Sequence, residues 1–261
     1  MSAMRARFSL PSMNLLRPVD IMIALPAPFA MAKKPYRAVW LLHCALEDAG
    51  VFFESLNAGD LAEEYNLALI APSLGNDFFL DHPRNRIGSF LDEMKSSLTD
   101  ILPLSPEKRD NAVLGISMGG FGALRWALAS DAFKAAAAIS GIFDAHAAPD
   151  KRVGRDRNLL GLQHAFNKTF RFNLLDEKGE TRADADFNLL LKEDKPDKPP
   201  LNLYCGEEDF FSLPHTKAIF ALATARGYPA TLRLSQGSHD KKYWRRAFGE
   251  AIAELFPEDG K

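Results

Sequence analysis

The run Asn111-Ala-Val-Leu-Gly-Ile-Ser-Met-Gly-Gly-Phe-Gly-Ala-Leu124 constrains the fold more than any other stretch of this chain. A short apolar segment, Ala112 to Leu114, breaks at Gly115-Ile116-Ser117-Met118-Gly119, and good helix formers follow through Trp126 and Leu128. The pattern reads as strand, sharp turn and helix with a serine at the apex, the arrangement of a nucleophile elbow. A serine held in a strained turn projects its hydroxyl clear of the backbone. The flanking positions have to be glycine, because a side chain there would strike the neighbouring strand or helix. Five residues with two glycines also recur by chance as a plain turn. The reading therefore depends on what else the chain brings to this strand end.

Around the elbow, strands and helices alternate. Ala38 to Leu42, Leu67 to Ile70, Ala135 to Ile139, Leu201 to Tyr204 and Ala230 to Leu234 are buried-strand patterns. Met4 to Leu10 and Val19 to Leu25 fit two antiparallel edge strands. Asp60 is placed to cap a short helix through Tyr65. Ser89-x-x-Asp92 resembles a capping box ahead of Phe90, Leu91, Met94, Leu98 and Ile101 at helical spacing. Pro214 to Arg226 and a final helix carrying Tyr243, Trp244, Phe248, Ile252 and Leu255 complete the series. The pattern predicts an α/β fold: a mostly parallel eight-stranded sheet with helices on both faces. At 261 residues, one domain spanning 1–261 is expected. Phe143 to Pro199 interrupts the rhythm with a charged segment, expected to form a small cap over the strand ends and to contain short helices at Leu159 to Phe166 and Phe187 to Leu191.

Composition narrows the function classes. A 47% hydrophobic content supplies a core, and a net charge of −2 argues against a nucleic-acid surface. No apolar run approaches the roughly 20 residues that span a bilayer. Met1 to Pro18 lacks the continuous apolar core of a secretion signal. The two cysteines, Cys44 and Cys205, make no disulfide framework, and the expected strand order keeps them too far apart to bridge. A soluble, cytoplasmic protein is expected.

A serine hydroxyl needs a neighbouring base, usually a histidine oriented by a carboxylate. Of six histidines, His239 follows the last strand in a flexible Gly-Ser-His-Asp loop. His43 sits at another strand end and reads better as a residue that orients its loop. His82, His146, His164 and His215 fall in the loop, cap or helix start. The acid should leave the strand preceding the histidine strand. Asp209 does so, with Glu207 and Glu208 as rivals. The order Ser117, Asp209, His239 is that of α/β-hydrolases. Oxyanion donors should be the Met118 N–H and an N–H of Cys44 or Ala45. Cys44 also reads as a reactive thiol or as a small apolar filler. Phe78, Phe79, Phe210 and Phe211 could wall an acyl pocket or belong to the core.

Taken in order, His43, Glu64-Tyr-Asn-Leu67, Pro72 with Gly75-Asn-Asp-Phe78, Gly115 to Leu124, Cys205-Gly-Glu-Glu-Asp209 and Gly237-Ser-His-Asp240 with Tyr243-Trp244 resemble the esterase D-like "putative esterase" family of α/β-hydrolases. The resemblance runs from Val39 to Trp244 apart from the cap, and the tributyrin-esterase and S-formylglutathione hydrolase types are similar. It implies Ser117 as nucleophile, Asp209 as acid, His239 as base, and Met118 and Ala45 as oxyanion donors. Family members often form homo-oligomers. The chain departs from the family at Cys44, where glycine is usual.

These readings converge on a serine carboxylesterase that hydrolyses short-chain acyl esters through an acyl-enzyme. No metal or organic cofactor is required. His43, Cys44, Phe78, Phe79 and Phe210 are the expected substrate-side residues. A thioesterase, an acyltransferase and a catalytically silent binding protein are the alternatives.

Overall fold

Successive residues of a buried strand point to opposite faces of its sheet, and the apolar runs of this chain fill both faces. A computed structural model describes residues 3–27, 35–83, 85–144, 173–192 and 194–257. Its strands are β1 (Met4–Ser12), β2 (Arg17–Leu25), β3 (Arg37–Leu42), β4 (Leu67–Pro72), a small hairpin of β5 (Asp81–His82) and β6 (Asn85–Arg86), β7 (Asn111–Ile116), β8 (Ala135–Ile139), β9 (Leu201–Gly206) and β10 (Ala230–Ser235). Eight of them form one sheet in the order β1-β2-β4-β3-β7-β8-β9-β10. β1 and β2 pair antiparallel, β2 joins β4 antiparallel, and every other neighbour is parallel.

Burial follows position in the sheet. Every residue of β4 and β7 is buried, as a central strand covered on both faces requires, whereas β1 alternates between half-buried and exposed at the edge. Along β3, Ala38, Trp40 and Leu42 enter one core, and Val39 and Leu41 the other. Helices α2 (Ile87–Ile101), α3 (Met118–Ala129) and α5 (Leu213–Ala225) cover the first face with Phe90, Phe121 and Ile219. Helices α1 (Ala58–Glu64) and α6 (Lys241–Leu255) cover the second with Ala62, Phe248 and Ile252. No described helix is long and apolar enough to cross a membrane.

Asn111 anchors the elbow strand. It is fully buried, yet its amide is satisfied: Oδ1 accepts from Trp40 Nε1 at 2.9 Å, and Nδ2 donates to the Ser105 and Glu107 carbonyls at 2.8 Å. A buried amide so engaged fixes strand register, because a slip would orphan it at about 1–3 kcal/mol.

Two expected helix starts differ. Asp60 lies within the first turn of α1; Asn57 precedes the helix in a left-handed conformation (φ 59°) that its short polar side chain tolerates. Ser89 likewise lies inside α2, and Asp81 of the hairpin takes its N–H at 2.8 Å and its hydroxyl at 2.5 Å. Asp92 accepts instead from Trp126 Nε1 at 2.7 Å. At Ser89 a tertiary partner displaced the local cap, whereas the N-cap of α1 lies three residues ahead of Asp60. The Phe52 to Leu56 patch forms a π-helical turn over Val51–Ser55. Within 143–199, α4 (Phe187–Leu190) begins on Asp186, whose carboxylate accepts from the Asn188 N–H. Arg182, two residues from its ion-pair partner Asp184, donates to the Asp81 carbonyl of the small hairpin. The helix expected at Leu159 to Phe166, and His146 and His164, lie outside the described residues.

Candidate active site

The carboxyl ends of β3, β7, β9 and β10 lie along one edge of the sheet, where open α/β sheets carry their sites. At the end of β7 the chain folds back on itself. A Cβ on Gly115 would sit 1.9 Å from the Gly119 carbonyl oxygen, and one on Gly119 would sit 1.9 Å from that of Leu42. Only glycine permits both approaches. Ser117 between them has φ 54° and ψ −114°, a sparsely populated conformation costing about 1–3 kcal/mol. The surroundings hold it there: its N–H donates to the Ile139 carbonyl of β8 at 2.8 Å, and its own carbonyl accepts from Gly120 N–H at 2.9 Å.

Three side chains from three strand ends then meet. His239 Nε2 lies 3.1 Å from Ser117 Oγ, and His239 Nδ1 lies 2.9 Å from Asp209 Oδ2. A carboxylate can only accept, so Nδ1 carries the proton and Nε2 is left to accept from the serine hydroxyl. Asp209 is fully buried. Burial alone would raise its carboxyl; the positive charge His239 carries once protonated, then hydrogen bonds from His239 and Ser212, outweigh burial and hold it well below the usual carboxylate range. Ser212 donates both its N–H, at 3.0 Å, and its hydroxyl to that carboxylate. The imidazole is gripped edge-on by Phe211 and Trp244, with ring centroids 5.2 and 5.1 Å away. Trp244 in turn donates to Ser140 Oγ. Glu207 and Glu208, the rivals of Asp209, are exposed.

The opposite side is built from backbone. Met118 opens α3, so its N–H has no carbonyl to meet within the helix. The loop after β3 runs directly over this turn, as the Gly119 contact with the Leu42 and His43 carbonyls shows. It contains no glycine between His43 and Ala49, and side chains fix it instead. Buried His43 bonds through Nδ1 to the Cys44 carbonyl at 2.8 Å and accepts the Leu74 N–H on Nε2 at 3.0 Å. Desolvation lowers its proton affinity, so this ring is a neutral strut. Leu46, at φ 66°, donates its N–H to Asn76 Oδ1 at 2.9 Å, and Glu47 pairs with Lys241 at 2.6 Å.

Other sequence candidates fall in different places. Cys44 is buried and its thiol is pushed up to about 12 by desolvation, which leaves no thiolate near neutral pH. It is packing, and Cys205 is a second unbridged, buried thiol. Phe78 and Phe79, both at positive φ, turn their rings into the core against Phe121 and His43. Their exposure of 3% and 1% makes them core residues rather than open pocket walls. Phe210 is half-buried. Sequence reading did not single out Ser212 or Lys241. The spacing Asp209-x-x-Ser212 just ahead of a helix was the available signal for the first, and nothing local marks the second.

Residues 88–255 match the family model described as "Putative esterase". The chain belongs to this family. The esterase is also 27% identical over 201 residues, 74% of its length and 73% of the relative's, to an acetyl esterase of Caldicellulosiruptor saccharolyticus. Among solved structures, it superposes on a fluorophosphonate-binding serine hydrolase of Staphylococcus aureus with a TM-score of 0.80, at 24% identity over 97% of this chain and 98% of that one. An S-formylglutathione hydrolase of the same organism gives 0.78 at 26% identity, covering 97% and 99%. The fold is that of the α/β-hydrolases, and the chain is a carboxylic ester hydrolase of the serine type.

Proposed function

We propose that the esterase cleaves short-acyl esters with Ser117 as nucleophile, His239 as general base and then acid, and Asp209 as the carboxylate that orients the ring. His239 Nε2 takes the Ser117 proton as Oγ attacks the ester carbonyl. Asp209, held ionised, stabilises the imidazolium that forms. The Met118 and Ala45 N–H groups receive the oxyanion, each donor contributing about 3–4 kcal/mol in sites of this type. The imidazolium then protonates the departing alcohol, and water repeats the sequence on the acyl-enzyme. The observation that carries this reading is the continuous relay Ser117 Oγ–His239–Asp209 at 3.1 and 2.9 Å.

A small acyl group is supported by the names of two relatives, an acetyl esterase and an S-formylglutathione hydrolase, and by the 5% exposure of Ser117. We assign the segment 143–199 to a cap within one domain, setting specificity over the strand ends. Two unbridged buried cysteines fit work in the reducing cytoplasm. The thioesterase is the second reading, favoured by the 26% identity to the formylglutathione enzyme and served by the same relay.

Ser117→Ala should lower p-nitrophenyl acetate hydrolysis by at least about 10³-fold while the protein stays folded. Undiminished turnover in that variant would overturn the assignment. Comparing S-formylglutathione with p-nitrophenyl acetate separates the two readings.

A further inference from the structure

Ser212 closes the turn between Asp209 and α5 and stands, fully buried, at the N-cap of that helix. A serine in this place ordinarily turns its hydroxyl onto one of the first free N–H groups of its own helix. Ser212 makes no such bond. Its hydroxyl donates instead to Asp209 Oδ2, the same oxygen that accepts from His239 Nδ1, and its N–H donates to Oδ1 at 3.0 Å. One residue thus holds both oxygens of the carboxylate.

The holder is itself held. The Ser212 carbonyl accepts from the Thr216 N–H at 2.9 Å and from the Thr216 hydroxyl at 3.0 Å. Cys205 Sγ lies 3.4 Å from Ser212 Oγ. A hydroxyl has one proton to give, and that of Ser212 is committed to Asp209, so the thiol is the donor in this contact. Desolvation, then the Asp209 charge, pushes the Cys205 thiol up to about 12, and its proton stays on sulfur. Cys205, Ser212, Asp209 and Thr216 are all buried, so protein donors rather than solvent set the direction of the carboxylate. A carboxylate free to turn about its Cβ–Cγ bond aims either oxygen, or neither, at the imidazole. Gripped at both oxygens, it keeps Oδ2 on Nδ1, and the ring keeps Nε2 3.1 Å from Ser117 Oγ.

We infer that Ser212 is a positioning residue of the reaction: it fixes the carboxylate plane of Asp209, and through it the aim of His239 at Ser117. This rests on the relay reading above. Ser212 acts only through Asp209, with its hydroxyl diverted from the helix it would otherwise cap.

Ser212→Ala keeps the N–H that holds Oδ1 and removes only the hydroxyl. It should lower kcat for p-nitrophenyl acetate about 10-fold with KM within about two-fold, because hydrogen bonds to charged groups are the strong ones and both half-reactions use the relay. In an Asp209→Ala background, where no carboxylate remains to be aimed, the same substitution should change kcat by less than about two-fold. Should Ser212→Ala fail to fold, Ser212→Cys decides: it fills nearly the same volume with a weak donor and should show the same kcat loss. Wild-type kcat in the variant, a loss carried by KM, or an equal loss with and without the Asp209 carboxylate would overturn the proposal, the last by marking Ser212 as packing alone. Undiminished turnover in Ser117→Ala would instead mark failure of the relay reading itself.

Discussion

The two sides of Ser117 are built by different means. On one side, Asp209 and His239 are side chains delivered by the ends of β9 and β10, and a chain of hydrogen bonds holds them. On the other, the loop from His43 to Glu47 presents backbone, and its shape is fixed by its own buried His43 imidazole and by Asn76 and Lys241 from elsewhere. The first design keeps its chemistry in named residues. The second spreads it over contacts from distant parts of the chain, each of modest worth. A glycine-free loop can therefore hold a sharp conformation, provided its neighbours supply what glycine would have supplied.

The contrast should show in mutant kinetics. On the histidine side, His239→Ala and Asp209→Ala should each lower kcat by about 10³–10⁵-fold, and combining either with Ser117→Ala should add little, because the relay acts as a unit. Multiplicative losses would mean the three residues act separately. On the loop side, His43→Phe removes the strut between the Cys44 carbonyl and Leu74, and should lower kcat about 10–100-fold with KM nearly unmoved. A rise in KM alone would place this loop in ground-state binding instead.

Each side also buries a neutral histidine, His43 and His215, whose proton affinity is depressed by desolvation. For such a group the unfolded chain binds the proton first, so stability is full above the unfolded value near 6.5 and is lost as pH falls toward the folded one. For His215, folded at about 4, the loss reaches about 3 kcal/mol at about 1.4 kcal/mol per tenfold change in proton affinity. Urea titrations between pH 7 and pH 4 should show a shallower decline in His215→Leu than in the wild type; parallel curves would contradict the burial argument. The smallest effect belongs to the half-exposed Glu47–Lys241 pair. Glu47→Gln should lower kcat about two- to five-fold, and the wild-type advantage should shrink in high salt. A salt-independent loss would mean that packing, not charge, holds this corner.

The same contrast explains what could be read before the structure. The elbow was legible because Gly115 and Gly119 answer a steric demand that any sequence with this turn must meet. Asp209 and His239 were legible because they sit just past strands, where position follows from periodicity. The shape of the loop after β3 was not, since it depends on Asn76 and Lys241, about 30 and 200 residues from Leu46. Phe78 and Phe79 stayed open between pocket and core for a related reason: the partners that bury them, Phe121 and His43, lie far off in sequence. The local cap expected at Ser89 gave way to Asp81, a tertiary partner, and the N-cap of α1 moved from Asp60 to Asn57, three residues earlier.

The most direct test of the account is to quench a p-nitrophenyl acetate reaction with acid during turnover and map the acetyl group by mass spectrometry. The relay predicts acetyl on the peptide carrying Ser117, formed faster than it is lost, and absent from His239→Ala on the same timescale. Acetyl on another residue, or an equally labelled His239→Ala protein, would contradict it.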